Sequence, residues 1–411
     1  MRAYIGGEHM KYEGLEKIFY QDKQRYEEIY QQRWNSEYAI HLDFEVAGHP
    51  AFFMQTPEIF AMLAQILRMN KAVSDLCQRL PGAALHQFSR QCLIDEIVLT
   101  NSIEGVRSTR KEISDILDEL DKKCKGRRFY GLVQKYNMLI TKEEIPLKTG
   151  EDVRKIYDEL VLAEVTEEDP ENAPDGRLFR KGPVSIYSPS QKEIHKGLYP
   201  EEKIIHAMDQ ALQFLEDESC ETLYRISIFH YMLEYIHPFY DGNGRLGRFI
   251  CSYLLSQELE PITGYQLSYT IEENVKEYYQ AFSICNDPLN RGDLTPFLYM
   301  FLGIIQESVK KLKEFLQKGA TRLEHCMDKI SEFVPENDDT LGELYSLLIQ
   351  AALFSEFGVS TNVILKHINI SRGTFHAKLA KIPAGFVIKE KRGNTNYYSM
   401  NLEKYESETN V

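Results

Sequence analysis

The feature that most constrains this chain is a helix that stops and restarts within a dozen residues. "YRISIFHYMLEYI" (224–236) has the apolar spacing of a helix, and Pro238 makes continuation through His237 unfavourable. "RLGRFICSYLLSQ" resumes a helix from about Asn243 or Gly244. The corner between them, "HPFYDGNGRLGR" (237–248), holds one histidine, one acid, two arginines and three glycines. Gly242 and Gly244 permit positive φ and let backbone amides face outward.

Those residue types in that order describe a phosphate site. The first turn of the second helix offers N–H groups without intrahelical acceptors, and the positive end of the helix dipole. Arg245 and Arg248 lie three residues apart, on one face of that turn, where both guanidinium groups can grip phosphate oxygens. Asp241 is a hard oxygen ligand suited to Mg²⁺. A neutral His237 imidazole can accept a proton from an attacking hydroxyl. A base, a metal carboxylate, an amide nest and two arginines together suit phosphoryl or nucleotidyl transfer. The competing reading, a buried helix corner with surface arginines, does not explain all of them in fixed order.

The remaining sequence sets bounds. With 43% apolar and 27% charged residues the chain is too apolar for general disorder, and its 411 residues allow two or three domains. A net charge of -14 argues against a whole-surface nucleic-acid or membrane partner. Seven scattered cysteines without a C-x-x-C pair read as reduced thiols. The start lacks a signal-peptide core and no apolar run reaches spanning length, so the sequence places the protein in the cytoplasm with no membrane partner. Helical periodicity runs from about Pro57 to Leu120, and the N-terminal ninety or so residues carry no signal beyond helix. The basic cluster Lys122, Lys123, Lys125, Arg127 and Arg128 reads as a solvated helix end, and "EVTEEDPENAPDG" (164–176) as an acidic loop. "RLFRKGPVSIYS" (177–188) alternates around Gly182-Pro183 and reads as a short hairpin.

"HPFYDGNGRLGR" matches the Fic signature HPFx[D/E]GNGRxxR at every specified position. The resemblance covers about residues 90 to 300 and implies transfer of AMP from ATP to a Tyr, Thr or Ser hydroxyl of a target protein, the chain itself included. It implies His237 as the base and Asp241 as the Mg²⁺ ligand. Gly242, Asn243, Gly244 and Arg245 would hold the α- and β-phosphates and Arg248 the γ-phosphate. Related Doc kinases carry Lys where this chain has Gly244, which favours AMP transfer over phosphorylation. "TNSIEG" (100–105) resembles the Fic inhibitory helix, which implies that Glu104 pairs with Arg248 and excludes the γ-phosphate. "FRKGPVSIY" resembles the Fic flap, with Val184, Ser185, Ile186 and Tyr187 as the docking strand, although a purely structural hairpin fits the same residues. "EYYQAFSICND" resembles the adenine-pocket stretch, with Tyr278, Tyr279 and Asn286 as contacts; packing of these aromatics into the core is the alternative.

Beyond the polar segment "SEFVPENDDT" the character changes. Three helices and a hairpin turning at Arg392-Gly393-Asn394 describe a winged helix-turn-helix. Phe375, Leu379 and Ile382 form the inward face of its third helix; Arg372, Thr374, Lys378 and Lys381 face outward. Between Thr361 and Met400, seven basic residues stand against the single acid Glu390. That footprint suits double-stranded DNA, with Arg372, Thr374, Lys378, Lys391 and Arg392 as contacts, or a solvated protein-contact domain. The expected fold is therefore mainly α: a Fic helical core with a β-hairpin flap, plus a C-terminal winged helix-turn-helix. The expected division is 1–140 helical with the inhibitory helix, 141–318 catalytic, 319–340 linker and 341–405 winged helix. The leading functional expectation is an autoinhibited adenylyltransferase. Removal of AMP, with Glu104 positioning a water, and a DNA-binding regulator using the Fic core as nucleotide sensor are the rivals. The sequence leaves the oligomeric state open, a homodimer included.

Overall fold

The computed structural model describes residues 4–5, 8–9, 12–120, 127–187, 193–392 and 395–408. The chain divides into two compact units, Met1–Asn70 with Leu93–Lys310, and Lys71–Cys92 with Lys311–Val411. This cut differs from the expected one at 140 and 318.

A short pair, β1 (Tyr4–Ile5) and β2 (Glu8–His9), precedes α1 (Leu15–Gln21) and α2 (Lys23–Trp34). The N-terminal region is not wholly helical: β3 (Ala39–Val46) and β4 (His49–Met54) form an antiparallel hairpin. Ala47 and Gly48 turn it with φ of 53° and 80°. Leu42, Phe44 and Val46 are buried while His41, Asp43 and Glu45 are exposed, the period-two pattern of a half-buried strand. β4 bonds onward, Phe52 N–H donating to the Gly292 carbonyl (3.0 Å) and Leu294 N–H to that of Phe52 (2.7 Å).

Helices then dominate: α3 (Pro57–Arg79), α4 (Gly82–Ile103), α5 (Arg110–Glu119) and α6 (Tyr130–Thr141). Of the basic cluster, Lys122, Lys123 and Lys125 lie outside the described residues, while Arg127 and Arg128 pair with Glu119 and Glu168 (2.6 and 3.1 Å). After α7 (Gly150–Tyr157), opened by a Thr149–Asp152 capping box, a π-helical turn at Asp158–Leu162 leads into α8 (Ala163–Glu168). The acidic loop expected from residue 164 is thus helical to Glu168, because Val165 and Glu164 turn inward, and Asp169-Pro170 ends it.

The expected hairpin about Gly182-Pro183 is displaced along the chain. β5 (Ser185–Tyr187) pairs instead with β6 (Glu193–Lys196). Residues before Pro183 cannot supply the first strand, since the Arg180 N–H is committed to the Pro238 carbonyl (3.1 Å) and the Gly182 carbonyl to the Arg180 side chain (2.6 Å). α9 (Glu201–Leu215), α10 (Thr222–Ile236) and α11 (Asn243–Glu258) follow, with α10 packed on both others. α10 buries eleven of its fifteen residues, so it is the axis of the first unit. α12 (Leu267–Glu273), α13 (Val275–Asn286) and α14 (Thr295–Asp328) complete the helical series.

The linker expected from 319 begins later. α14 stays helical to Asp328 because Ala320, Leu323 and Cys326 continue its buried stripe at three-residue steps. In the second unit α15 (Asp339–Phe354), β7 (Val359–Ser360), α16 (Thr361–Ile368) and α17 (Arg372–Leu379) lead to β8 (Val387–Arg392) and β9 (Thr395–Met400). The three strands form one antiparallel sheet in the order β7-β9-β8, and α18 (Leu402–Glu408) ends the chain's described part. Phe375 and Ile382 are buried and Leu379 half-buried, while Gly393 and Asn394 lie outside the described residues. All six described cysteines are buried, and Cys124 lies outside. Among the described residues, no helix is long and apolar enough to cross a membrane.

Candidate active site

α10 ends at Ile236, and His237 caps it in the left-handed conformation, φ 51° and ψ 64°. Its N–H still donates to the Leu233 carbonyl (2.9 Å), so the chain leaves the helix at this residue. A residue with a Cβ adopts that conformation at a cost of about 1 kcal/mol or more. Something outside the helix must hold it. The next residues are fixed from two sides. Phe239 is fully buried and stacks on Tyr157 with centroids 3.6 Å apart. Its N–H donates to Asn243 Oδ1 and its carbonyl accepts from Asn243 Nδ2, both at 2.9 Å. Asn243, expected to hold phosphate, therefore uses its amide to close the loop.

Gly242 precedes α11 at φ 80°, and a Cβ there would also meet Val161 at 3.0 Å. Its N–H donates to Asp241 Oδ1 (2.6 Å), while the Tyr157 hydroxyl donates to the Asp241 carbonyl (3.1 Å). The Asp241 side chain is half-buried, with its second oxygen unclaimed by any hydrogen bond among the described residues. Among those residues no cluster of three or more His, Cys, Asp or Glu could hold a metal. A single carboxylate beside a phosphate nest still fits Mg²⁺, which is commonly held by one or two carboxylates together with substrate phosphates.

The two signature arginines do not meet at one point. Arg248 is almost fully buried and is clamped by α4. Its Nε donates to Thr100 Oγ1 (2.8 Å), and its Nη2 to the Thr100 carbonyl (3.0 Å) and to Glu104 Oε1 (2.7 Å). Gly105 then turns the chain away at φ 74°, and Val106 N–H returns to the Asn101 carbonyl (2.9 Å). Arg245 faces another way. Its Nη1 donates to Glu164 Oε1 of α8 (2.9 Å), with both side chains at most 5% exposed. Glu164 carries its negative charge reluctantly, since burial pushes its pKa up. Arg245 Nε and Glu164 Oε2 have no partner among the described residues.

Glu104 also lies against the start of α11. A Cβ built on Gly244 would meet Glu104 Oε1 at 2.1 Å and Arg248 Nη1 at 3.0 Å. A carboxylate in that position sits where a helix N-terminus and an arginine both attract an anion. Behind it, burial and then the Glu104 charge push Glu234 up to about 8, and burial pushes Glu96 up to about 7. Glu96 is satisfied by Ser252 and Ser268 (2.6–3.1 Å), whereas Glu234 Oε1 has no partner among the described residues. The His237 ring is neutral at ordinary pH: burial, then His195 and Arg180, lower its pKa to about 3, and its Nδ1 is without a partner among the described residues.

The adenine-contact expectation divides. Tyr278 is buried, its hydroxyl 2.7 Å from His230 Nε2, which is the core-packing alternative. Tyr279 is 43% exposed, and Asn286 Oδ1 accepts from the Tyr231 hydroxyl (2.6 Å). The Val184 carbonyl accepts from Gly197 N–H (3.1 Å), and among the described residues Ser185, Ile186 and Tyr187 pair with β6 alone, as a two-stranded sheet. Sequence reasoning missed Glu164, hidden in an acidic run, and Arg180, which carries no motif of its own.

Comparison with known proteins agrees with this geometry. Residues 148–255 match the family model described as the Fic/DOC family. Protein adenylyltransferase fic-1 of Caenorhabditis elegans is 26% identical over 141 residues, 34% of this chain and 26% of the relative. Protein adenylyltransferase Fic of Drosophila melanogaster is 31% identical over 94 residues, 22% of this chain and 17% of the relative. The chain thus spans about a quarter or less of these relatives' lengths. A Fic family protein from Desulfovibrio desulfuricans superposes with a TM-score of 0.51 at 21% identity, covering 84% of this chain and 96% of that one, and so shares the fold. Residues 148–255, from the start of α7 through the helix corner and most of α11, are a Fic/DOC-family domain.

Proposed function

We propose that this chain is an autoinhibited protein adenylyltransferase that moves AMP from ATP to a hydroxyl of a target protein. The observation that carries the reading is Glu104. Its carboxylate is bonded to Arg248 and lies against Gly244, at the mouth of the α11 amide nest and on the same corner as His237. In the active state the first-turn amides of α11 hold the α- and β-phosphates, and Arg248 exchanges Glu104 for the γ-phosphate. Arg245 keeps its Glu164 partner and ties α8 to α11 beneath the nest. Neutral His237 takes the proton from the target hydroxyl. The hydroxyl oxygen bonds to the α-phosphorus, the bond from that phosphorus to the bridging oxygen of the β-phosphate breaks, and pyrophosphate leaves. Mg²⁺, held by Asp241 and the phosphates, would neutralise charge on the leaving group. Asn286, through its amide nitrogen, and the exposed Tyr279 are the candidate adenine contacts. The open edge of β5, from Val184 to Tyr187, would dock the target backbone.

The second unit supports a winged helix-turn-helix that contacts duplex DNA. α15, β7, α16, α17, β8 and β9 follow in that order, the three strands form one antiparallel sheet, and Ser371 Oγ caps α17 by accepting from Thr374 N–H (3.1 Å). Its positive face is smaller than the sequence suggests. Lys378 and Lys381 both pair with Asp338, and Arg392 pairs with Glu390 while its guanidinium lies 3.7 Å over Phe357. Arg372 and Lys391 remain the foremost DNA contacts. The reaction class is tested by incubating Glu104→Gly with α-labelled and γ-labelled ATP. Protein-bound label from the α position alone supports AMP transfer; label from the γ position would replace it with kinase chemistry.

A further inference from the structure

Arg180 is a fully buried charge beside the corner, at 0% exposure, and no carboxylate pairs with it among the described residues. Burial lowers its pKa to about 10, so it remains a cation at neutral pH. Leaving a guanidinium in the interior without an acid is costly, and it persists only where its hydrogen bonds are all well met. Here they are met by carbonyls. Nε donates to His237 O (2.9 Å), Nη1 to Gly182 O (2.6 Å), and Nη2 to Leu198 O (2.9 Å) and Ile236 O (3.4 Å). The Arg180 N–H takes Pro238 O at 3.1 Å.

One residue therefore gathers the carbonyls of Ile236, His237 and Pro238, the three successive positions at which α10 is turned into the signature loop. The same guanidinium grips both ends of the segment that carries the flap, Gly182 before β5 and Leu198 after β6. Gly197 is the contact's other wall: a Cβ there would meet Arg180 Nη2 at 2.3 Å and His237 Cβ at 3.0 Å.

We infer that Arg180 is a positioning residue for the transfer reaction, holding His237 in its left-handed conformation and fixing the flap to the same point. This rests on the reading of His237 as the base. Arg180 touches no reacting atom. It sets where the imidazole and the docking strand stand relative to each other, and misplacement of a reacting group by about 1 Å can cost on the order of a hundredfold in rate. A lysine cannot reproduce the fan of donors to four carbonyls, because its three N–H groups diverge from a single nitrogen.

The test uses the full chain in the Glu104→Gly background, comparing Arg180→Lys and Gly197→Ala with their parent. The readouts are label transfer from α-labelled ATP at saturating ATP, the ATP dissociation constant, and the His237 ring resonances in histidine-labelled protein. The expected result is transfer lowered about a hundredfold, ATP affinity within about threefold of the parent, and shifted His237 resonances. Cooperative melting identifies a folded variant, and Gly197→Ala decides if Arg180→Lys does not fold. Folded variants with parental transfer and unshifted resonances would overturn the inference. Failure of both to fold would overturn it too, by assigning Arg180 to stability alone. If the parent itself transfers no label, the adenylyltransferase reading fails, while the His237 resonances still report on Arg180.

Discussion

The Glu104–Arg248 contact predicts a graded response of ATP affinity to the charge and presence of one side chain. Arg248 Nη2 lies 2.7 Å from Glu104 Oε1, with Arg248 buried and the Glu104 side chain 29% exposed. A hydrogen bond to a charged group contributes about 1.5–3 kcal/mol and a neutral one about 0.5–1.5 kcal/mol. The partial exposure of Glu104 places this contact near the lower end of the charged range. Glu104→Gln keeps the shape and a neutral bond, so it should relieve about 1 kcal/mol of competition. Glu104→Gly removes the competitor and should relieve about 2 kcal/mol. At about 1.4 kcal/mol per decade these become roughly fivefold and thirtyfold gains in ATP affinity. ADP, which lacks the γ-phosphate, should gain less than about twofold in either variant. Calorimetric titration of the three proteins with both nucleotides measures this directly. Equal gains for ADP and ATP, or no gain for ATP, would refute the claim that Glu104 holds the γ-phosphate's arginine.

Gly244→Ala should destabilise the wild type by about 1–2 kcal/mol, since its methyl would press on Glu104 Oε1, and cost less in the Glu104→Gly background, where the contact with Arg248 Nη1 remains. A thermal-melting double-mutant cycle reads that coupling. Glu234 titrates near 8 against an ordinary value of 4.5, so the folded state holds its proton more tightly than the unfolded state. The stability this adds is complete below about pH 4.5 and is lost as pH rises through about 8, at up to about 1.4 kcal/mol per pH unit. The Tm of Glu234→Gln should therefore gain on the wild type from pH 5 to pH 9, and a constant difference would contradict it. In the second unit, Asp338→Asn should free Lys378 and Lys381 and steepen the salt dependence of duplex binding by up to about two counterions, while Arg372→Ala should weaken binding by about 1–3 kcal/mol. A gel-shift salt series showing no change for either would count against the DNA reading.

The helix corner was legible because its constraints are local. Pro238, Gly242 and the apolar runs on either side dictate where α10 stops and α11 starts, and the turn at Gly105 is written beside Glu104. The partner of Arg248 was legible only through the resemblance, since 144 residues separate the pair. What the sequence hid is set by long-range contact. Arg245 reaches Glu164 across 81 residues, a partner that neither helical spacing nor the signature names. The strand expected within Val184–Tyr187 is β5, but its partner is β6 rather than residues before Gly182, because the Arg180 N–H goes to Pro238 and the Gly182 carbonyl to the Arg180 side chain. The β3–β4 hairpin is a different case: it went unread although Leu42, Phe44 and Val46 alternate with polar residues, and beyond its pairing with β3, β4 bonds through Phe52 to Gly292 and Leu294, about 240 residues away. Local charge was misleading in the second unit, where Asp338, outside the basic segment, neutralises two of its lysines.

Self-labelling from α-labelled ATP by wild type, Glu104→Gly and the double variant Glu104→Gly/His237→Ala tests the central claim most directly. The account predicts little label on the wild type, much more on Glu104→Gly, and none on the double variant despite retained ATP binding. Label on Glu104→Gly no greater than on the wild type would contradict the role of Glu104, and equal label on the double variant would contradict that of His237.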